Sequence, residues 1–390
     1  MSSANDAGAR QRVSVARLTL TDFRCYRQQR LETGPEPVVL TGSNGAGKTT
    51  LLEALSLLSP GRGLRRARLD EMGRRNEDGP APVWAVAARL RTANGTVDVG
   101  TGRIAGESAS TRDRRQVRID GQPAKTQAAL AKICGMIWVT PEMDRLFLEG
   151  TSARRRFLDR LVFGVDPSHA SRVGAYERAL QQRARLLRQG AADAVWLAAL
   201  EDTMATNGVA VSAARRDVAA RLSRASAEGA GPFPGAALEA RGMVEQWLDE
   251  GPALSAEDRL RATLGGSRRN DAETGGAAVG PHKSDLGVRH LASGRSAAEC
   301  STGEQKALLI AIVLAGARVQ MAEQRSVPVL LLDEVAAHLD ARHREALFES
   351  VAALDVQAWY AGTDIGLFEP LRGRAQFFAV ERGAATPKWE

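Results

Sequence analysis

The stretch Val38-Val39-Leu40-Thr41-Gly42-Ser43-Asn44-Gly45-Ala46-Gly47-Lys48-Thr49-Thr50-Leu51-Leu52 decides the fold. Its apolar opening, entered through Glu36-Pro37, reads as a strand, and Leu51, Leu52, Leu55 and Leu58 then recur at helical spacing. Between the two lies Gly42-x-x-x-x-Gly47-Lys48-Thr49, a complete phosphate-binding loop in the strand-to-helix setting that its mechanism requires. Glycines let backbone N–H groups converge on a β-phosphate, and the helix start adds partial positive charge. Lys48 is placed to reach the β- and γ-phosphates and Thr49 to hold Mg²⁺. Gly42, Ser43, Asn44, Gly45, Ala46, Gly47, Lys48, Thr49 and Thr50 are therefore the expected nucleotide contacts.

Further along, Leu330-Leu331-Leu332-Asp333-Glu334 is a continuous apolar run ending in two acids, the pattern of a strand buried on both faces. Downstream of a phosphate loop that pair has a defined chemistry. Asp333 binds Mg²⁺ through water, and Glu334 orients the attacking water and accepts its proton, so Lys48, Asp333 and Glu334 form the expected catalytic set. Ser301-Thr302-Gly303-Glu304-Gln305 opens an apolar helix about thirty residues before Asp333. Ser301 and Glu304 fit a Ser-x-x-Glu capping box. The segment also stands where an ABC-type ATPase carries its signature, close to Leu-Ser-Gly-Gly-Gln. A small residue and a glycine at a helix start can present N–H groups to a phosphate. In such ATPases that phosphate belongs to the opposite subunit, so a signature implies two ATP molecules sandwiched in a dimer. Asp340, closing Ala336-Ala337-His338-Leu339-Asp340, holds the position of the D-loop acid that crosses the same interface, and His338 reads as a surface or packed histidine.

Val13 to Leu20 alternates apolar with polar and predicts an opening strand, followed by a turn at Thr21-Asp22-Phe23-Arg24. From Met143 to Leu264 the texture changes to amphipathic stretches rich in Ala, Arg and Leu, broken at Gly229-Ala230-Gly231-Pro232-Phe233-Pro234-Gly235. Gly265-Gly266-Ser267 and Asp271 to Gly276 read as flexible. Beyond them the pattern predicts a helix over Lys306 to Val319, a strand over Val327 to Leu332, a helix over Ala341 to Ala353 and a strand over Ala358 to Ala361. The expected fold class is α/β: an ABC-type P-loop ATPase lobe with a mixed sheet, plus an inserted α-helical lobe and no long coiled coil. The expected domains are a disordered tail over residues 1–12, the ATPase lobe over 13–142 and 265–390, and the helical lobe over 143–264.

With 390 residues, 44% of them hydrophobic, the chain can bury a substantial core. The apolar runs Ala307 to Ala315 and Val327 to Leu332 fall short of the roughly 20 residues that cross a bilayer. Met1 to Gln11 lacks the apolar segment of a signal peptide. A cytoplasmic protein with no membrane partner is expected. Cys25, Cys134 and Cys300 are isolated and in no metal-like spacing with the five histidines, which fits a reducing compartment and argues against disulfides or structural zinc. A net charge of +7 suits a polyanionic partner. Three arginine clusters stand out: Arg62, Arg65, Arg66 and Arg68; Arg112, Arg114, Arg115 and Arg118; and Arg154, Arg155 and Arg156. Each reads equally as a solvated face, but the first follows the phosphate-loop helix and is the expected DNA contact, coupling nucleotide state to backbone phosphates. In the third, next to Phe157-Leu158-Asp159, one arginine can pair internally with an acid.

Several stretches resemble the RecF family in particular. Leu18-Thr19-Leu20-Thr21-Asp22-Phe23-Arg24-Cys25-Tyr26 is similar to its Leu-x-x-Phe-Arg-Asn-Tyr. Trp138-Val139-Thr140-Pro141-Glu142 and Arg154-Arg155-Arg156-Phe157-Leu158-Asp159 are similar to its Pro-Glu and Arg-Arg-x-Phe-Leu-Asp block. Tyr176, Leu180, Gln182-Arg183 and Leu186-Leu187 resemble its next helix, and Gly280-Pro281-His282-Lys283-Ser284-Asp285-Leu286 resembles Gly-Pro-His-Arg-Asp-Asp-Leu. With Leu331 to Asp340 and Gly362-Thr363-Asp364, the resemblance covers residues 13 to 365 in order. It implies a bacterial protein of recombinational repair and replication-gap processing that binds ATP, Mg²⁺ and DNA with gaps or single-strand/double-strand junctions. It also implies an ATP-dependent homodimer, slow DNA-stimulated hydrolysis, and assistance to RecO and RecR in loading recombinase. Arg24 is implied to lie near the nucleotide, with a strand-capping role as the equal alternative.

Departures from the pattern are Cys25 for Asn, Lys283-Ser284 for Arg-Asp, and Thr302 and Glu304 where signatures more usually carry Gly and Gln. The ATPase subunit of an ABC transporter is the alternative, but Glu142 occupies its Q-loop region and Thr363 the place of its switch histidine. A nucleotide-gated DNA clamp with negligible turnover also fits, because the presence of Glu334 fixes no rate.

Overall fold

The first strand carries an irregularity that its sequence already contains, since the apolar positions shift from odd (Val13, Val15) to even (Leu18, Leu20). In the computed structural model, which describes residues 13–76, 79–92, 94–104, 115–190, 193–324 and 327–388, β1 (Ser14–Phe23) has a register shift between Val15 and Arg17 where it pairs with β6 (Trp84–Thr92). The extra residue of this bulge keeps both sets of apolar side chains on the buried face. The strand runs through the expected turn to Phe23, and the chain reverses at Arg24-Cys25 into β2 (Tyr26–Glu32), with Asp22 and Arg24 at φ 45° and 55°. The expected disordered tail, and Arg112 and Arg114, lie outside the described residues.

Two compact units are present, Met1–Met143 with Val313–Glu390, and Asp144–Ile312. The first holds two six-stranded sheets. One is antiparallel, in the order β2-β1-β6-β7-β8-β9, with β7 at Gly95–Arg103, β8 at Gln116–Ile119 and β9 at Gln122–Pro123. A two-residue ladder joins β4 (Arg75–Asn76) to β5 (Gly79–Pro80). The other sheet combines β3 (Val38–Thr41), β10 (Met136–Val139), β13 (Val329–Asp333), β14 (Ala358–Gly362), β15 (Gln376–Glu381) and β16 (Ala384–Pro387), in the order β10-β13-β14-β3-β15-β16. Only its last pairing is antiparallel. Helix α1 (Lys48–Ser56) buries Leu51, Leu52 and Leu55 in one cluster with Leu18, Leu20 and Trp84 of the first sheet and Leu40, Leu331 and Trp359 of the second. Near-continuous apolar strands in the second sheet follow from burial on both faces.

The second unit contains α2 (Thr151–Phe163), α3 (His169–Gln189), α4 (Ala194–Ser226), α5 (Met243–Glu250), α6 (Ala253–Gly266) and α7 (Arg268–Thr274) around Tyr176, Met204, Val209, Leu260 and Leu264. It also contains an antiparallel pair, β11 (Ala236–Arg241) with β12 (Asp285–His290). Two expectations differ here. Residues 265–267 and 271–276 are largely helical rather than flexible, because Asp271 is wholly buried and accepts hydrogen bonds from Arg183 at 2.8 Å and Ser267 at 2.6 Å. The return to the first unit falls at Val313 rather than at 265, because β12 is laddered to β11. Helix α8 (Thr302–Gln324) is longer than the apolar run suggested, and over Thr302–Ala322 it is long and apolar enough to cross a membrane. With 83% of its most apolar window buried inside the protein, it is a core helix. Helix α9 (Ala341–Ala353) follows β13.

Candidate nucleotide site

The phosphate loop leaves the C-terminal end of β3, between β14 and β15, and two of its glycines are required by their surroundings. Gly42 has φ 158°, and a Cβ there would lie 2.1 Å from the Val380 carbonyl oxygen. Gly47 has φ 119°, and its Cβ would meet the Tyr26 hydroxyl at 2.7 Å and the Cys25 thiol at 3.0 Å. The Tyr26 hydroxyl donates to the Gly47 carbonyl at 3.2 Å, and the Gly383 N–H donates to the Ala46 carbonyl at 3.3 Å, so the end of the loop that leads into α1 is pinned. No side chain caps the start of α1. The first-turn N–H groups of such a helix, with its dipole, attract an anion.

Four expected residues converge at the C-terminal edge of the parallel strands. The Lys48 ammonium, 4% exposed, donates to the carbonyls of Gly42 at 2.7 Å and Ser43 at 3.0 Å and lies 3.5 Å from the Glu334 carboxylate. Thr49 donates its hydroxyl to Asp333 at 3.0 Å across 284 residues of sequence. Burial pushes the Asp333 carboxyl up to about 6, with Glu334 beside it acting in the same sense against the Thr49 hydrogen bond. A buried carboxylate held this high next to a hydroxyl oxygen fits a divalent cation, whose charge would offset the desolvation. Glu334 has φ 52°, a strained backbone for a residue with a side chain, fixed by its N–H donating to Ala361 at 2.9 Å. Thr50 is buried beside the Cys25 thiol. Ser43, Asn44 and Gly45 complete the exposed or half-exposed rim of the loop, and Ala46 is buried.

Arg24 stands in the turn between β1 and β2 and is engaged within the protein. Its guanidinium grips Glu53 of α1 with bonds of 2.7 and 3.0 Å and donates to the Glu71 carbonyl at 2.9 Å. Glu53, 1% exposed, also receives Arg65 at 3.3 Å. It is the residue that the sequence reading missed, although a lone acid in an apolar helix was its signal. Arg62, Arg65, Arg66 and Arg68 are all exposed along the segment after α1, and Arg68 pairs with Asp70 at 3.1 Å. In the second cluster Arg118 is exposed, whereas Arg115 donates to the carbonyls of Leu57, Ser59 and Gly61 just past the end of α1. Burial lowers that guanidinium to about 10.

At the signature, Ser301, Thr302 and Gly303 are exposed and the capping box is formed: the Ser301 N–H donates to Glu304 at 2.7 Å and the Glu304 N–H to the Ser301 hydroxyl at 3.3 Å. Arg295 holds the Glu304 carboxylate at 2.7 Å, and Gln305 is buried with its amide on the Cys300 carbonyl. Asp340 is exposed and caps α9, accepting from the His343 N–H at 2.8 Å. His338, Glu142 and Thr363 are all exposed.

The two stretches without an assigned role bond to each other within the second unit. Arg154 makes a two-pronged pair with Asp285 at 2.7 and 2.9 Å, and Arg155 donates to the Ser284 carbonyl at 2.6 Å. The Tyr176 hydroxyl meets His282 at 2.6 Å, and Arg215 donates to the Pro281 carbonyl at 2.6 Å. Arg215 also grips Asp159 with two bonds of 2.8 Å, and the buried His169 ring lies 2.8 Å from the same acid. Arg154 and Arg155, read as a possible DNA face, are therefore internal ties, and Arg156 bonds to Ser152 in its own helix.

Comparison with known proteins identifies the family and the fold. The family model described as the RecF/RecN/SMC N terminal domain matches residues 14–360. The chain is 45% identical over 377 residues to the DNA replication and repair protein RecF of Mesorhizobium japonicum, covering 96% of this chain and 97% of that one. It is 46% identical over 374 residues to the RecF protein of Rhizobium etli, covering 95% and 98%. Among solved structures, the recombination mediator protein RecF-ATP in the RecFOR pathway aligns with TM-score 0.80 at 20% identity, covering 97% of this chain and all of that one. An Smc head domain from Pyrococcus furiosus aligns with TM-score 0.53 at 14% identity over 96% of each chain.

Proposed function

The chain belongs to the RecF family, and from that membership we propose an ATP-binding protein of DNA replication and repair whose ATP-bound form is a homodimer closed on DNA. The observation that carries the reading is the meeting of Lys48, Thr49, Asp333 and Glu334 at one sheet edge, with the Thr49 hydroxyl 3.0 Å from Asp333. In this reading Gly42 to Thr50 wrap the phosphates, and Lys48 exchanges the Gly42 and Ser43 carbonyls for phosphate oxygens. Thr49 and Asp333 would hold Mg²⁺, which when bound would supply charge neutralisation at the phosphates. Glu334 takes a proton from the attacking water as the bond from the γ-phosphorus to its bridging oxygen breaks, giving ADP and phosphate.

Ser301 to Gln305 of a second copy complete the site, with Asp340 at the same interface. A phosphate reaching the Ser301 N–H competes with the Glu304 carboxylate already there, so dimer closure requires an exchange of anions, which accords with slow turnover. Arg62, Arg65, Arg66 and Arg68 are the proposed contacts to gapped DNA and its single-strand/double-strand junctions, DNA stimulates hydrolysis, and RecR and RecO are the partners in loading recombinase in the cytoplasm. Arg24, carried by the turn whose Cys25 and Tyr26 lie against Gly47, is the proposed arginine near the nucleotide, held by Glu53 of α1. The transporter alternative has no support from RecF-named relatives. A clamp with negligible turnover is favoured by one observation, the Lys48–Glu334 contact that engages the base.

Molar mass by light scattering tests the reading, with and without ATP and Mg²⁺, with gapped DNA and with Ser301→Arg. The mass should double with ATP, fail to double in Ser301→Arg and rise again with DNA. A monomer throughout would reduce the signature to a helix cap. Single-turnover hydrolysis by the dimer separates the ATPase from the clamp.

A further inference from the structure

The turn from Gly280 to Asp285 is fastened inward at every position but one. Gly280 has φ 139°, and a Cβ there would lie 2.2 Å from the Tyr176 hydroxyl. The Pro281 carbonyl accepts from Arg215, and the His282 ring bonds to the Tyr176 hydroxyl and, at 2.8 Å, to the Ala277 carbonyl. The Ser284 hydroxyl donates to the buried Glu245 at 2.7 Å, and Asp285 accepts both prongs of Arg154. Lys283 closes the turn through its N–H, which donates to the Gly280 carbonyl at 2.9 Å. Its side chain is exposed, and its ammonium makes no hydrogen bond or ion pair among the described residues.

Arg155 lies beside this lysine. Its half-buried guanidinium uses one nitrogen for two bonds, to the Thr151 hydroxyl at 2.9 Å and to the Ser284 carbonyl at 2.6 Å. Both acceptors are neutral, so these ties leave the charge unmatched. Burial, with the charges of Arg215 and Arg156, holds the guanidinium below its ordinary pKa against the opposing pull of Asp285 and Asp159. Those two acids are already engaged, Asp285 by Arg154 and Asp159 by Arg215 and His169. His282 supplies no counter-charge either: burial lowers its pKa, and Lys283 and Arg155 both act on the ring in the same sense. Glu149, exposed two residues before Thr151, is the acid left on this stretch. Thr151 opens α2, whose start no side chain caps, so the first N–H groups of that helix add partial positive charge.

We propose that Lys283, Arg155 and the start of α2 form a binding site for the backbone phosphates of DNA, contained within the second unit. Two cations without counter-charges beside a helix start select an anion with several acceptor oxygens, and the free N–H edge of a guanidinium suits a phosphate. A single carboxylate would balance only one of the two cations, whereas consecutive phosphates along a strand supply a charge for each. The buried bonds around Gly280 fix the turn in advance, so the lysine is presented from a rigid support. DNA as the source of the phosphate rests on the function proposed above; the site itself is separate from Arg62 to Arg68 of the first unit.

The test titrates the full chain with ATP and Mg²⁺, unaltered and as Lys283→Gln and Lys283→Arg, against a fluorescein-labelled gapped duplex at about 50 to 200 mM salt. Lys283→Gln should bind about fivefold more weakly at the low-salt end, and its slope of log affinity against log salt should shrink by about one. Lys283→Arg should match the unaltered chain in both, and a fluorescent ATP analogue should bind all three alike. Parental affinity and slope in Lys283→Gln overturn the site and leave DNA binding by the chain in place; weaker binding with an unchanged slope overturns it too, because no phosphate contact was lost. If the unaltered chain does not bind the duplex, the function proposed above falls and this proposal with it. Inorganic phosphate is the second probe. Should it raise the melting temperature of the unaltered chain but not of Lys283→Gln, while both bind DNA alike, the site takes free phosphate and the proposal is overturned.

Discussion

Glu53 accepts both prongs of the Arg24 guanidinium, at 2.7 and 3.0 Å, one helical turn beyond Thr49. Arg65 adds a third bond to the same buried carboxylate. Removing the acid strands two cations, whereas an amide would keep an acceptor oxygen. Glu53→Ala should therefore lower the unfolding free energy by about 3 kcal/mol and Glu53→Gln by less. Urea denaturation measures both, and a loss under about 0.5 kcal/mol in the alanine variant would show that the arginines find other partners.

Asp333 gives the nucleotide-free protein a pH dependence of unusual sign. Its carboxyl is raised to about 6 by burial, from an unfolded value near 4, so the folded state binds the extra proton and stability falls as pH rises through that window. The shift corresponds to about 2–3 kcal/mol at pH 8. Asp333→Asn should therefore melt higher than the parent at pH 8 without nucleotide, the two should converge near pH 4, and Mg²⁺-dependent ATP binding should be lost. An asparagine variant no more stable at pH 8 would refute the assignment of strain to this carboxylate.

Lys48 and Glu334 should separate binding from chemistry. Lys48→Arg is expected to weaken ATP binding at least tenfold with an unchanged circular dichroism spectrum, because a guanidinium cannot follow the ammonium between the Gly42 and Ser43 carbonyls. Glu334→Gln should lower the turnover rate by about 10²–10⁴ and accumulate the ATP-bound dimer. Phosphate release at the parental rate in both would dismiss the site.

In the second unit the Asp159 carboxyl is buried, which alone would raise it, but Arg215 and His169 outweigh that and hold it far below the usual range. A depressed acid contributes stability that is present above its unfolded value near 4 and is lost as pH falls further. Asp159→Asn should cost about 3–5 kcal/mol at pH 7, since it leaves the Arg215 charge unmatched, while breaking the half-exposed Arg154–Asp285 pair should cost nearer 1 kcal/mol. Guanidinium unfolding of the two variants at pH 7 compares them, and equal losses would contradict the ranking by burial.

The elements around the phosphate loop and Asp333 were legible because strand, glycine turn and helix are written in consecutive residues, and α9 matches its periodicity from Ala341 to Ala353. What sequence could not supply was the partner of each charge. Arg24 and Glu53 are 29 positions apart and Arg154 and Asp285 are 131 apart, and nothing local links them. Residues 265–276 misled for the same reason: glycines and polar residues imitate a loop until Asp271 is seen to be a buried acceptor for Arg183. The shift of apolar positions in β1 was readable as alternation, but its cause, an extra residue absorbed by a bulge, appears only when β6 is laid beside it.

Strand β3 carries the phosphate loop near the beginning of the chain, yet both of its neighbours, β14 and β15, lie beyond residue 357. At synthesis rates of about 5–20 residues per second, roughly 15–60 s separate the emergence of Val38 from that of Ala358. During that interval the apolar strand has unpaired edges, while the antiparallel strands up to β9 can already join one another. The phosphate loop is thus seated only as synthesis ends: a ribosome stalled before β14 holds a chain that contains every residue of the loop and lacks both strands that flank it.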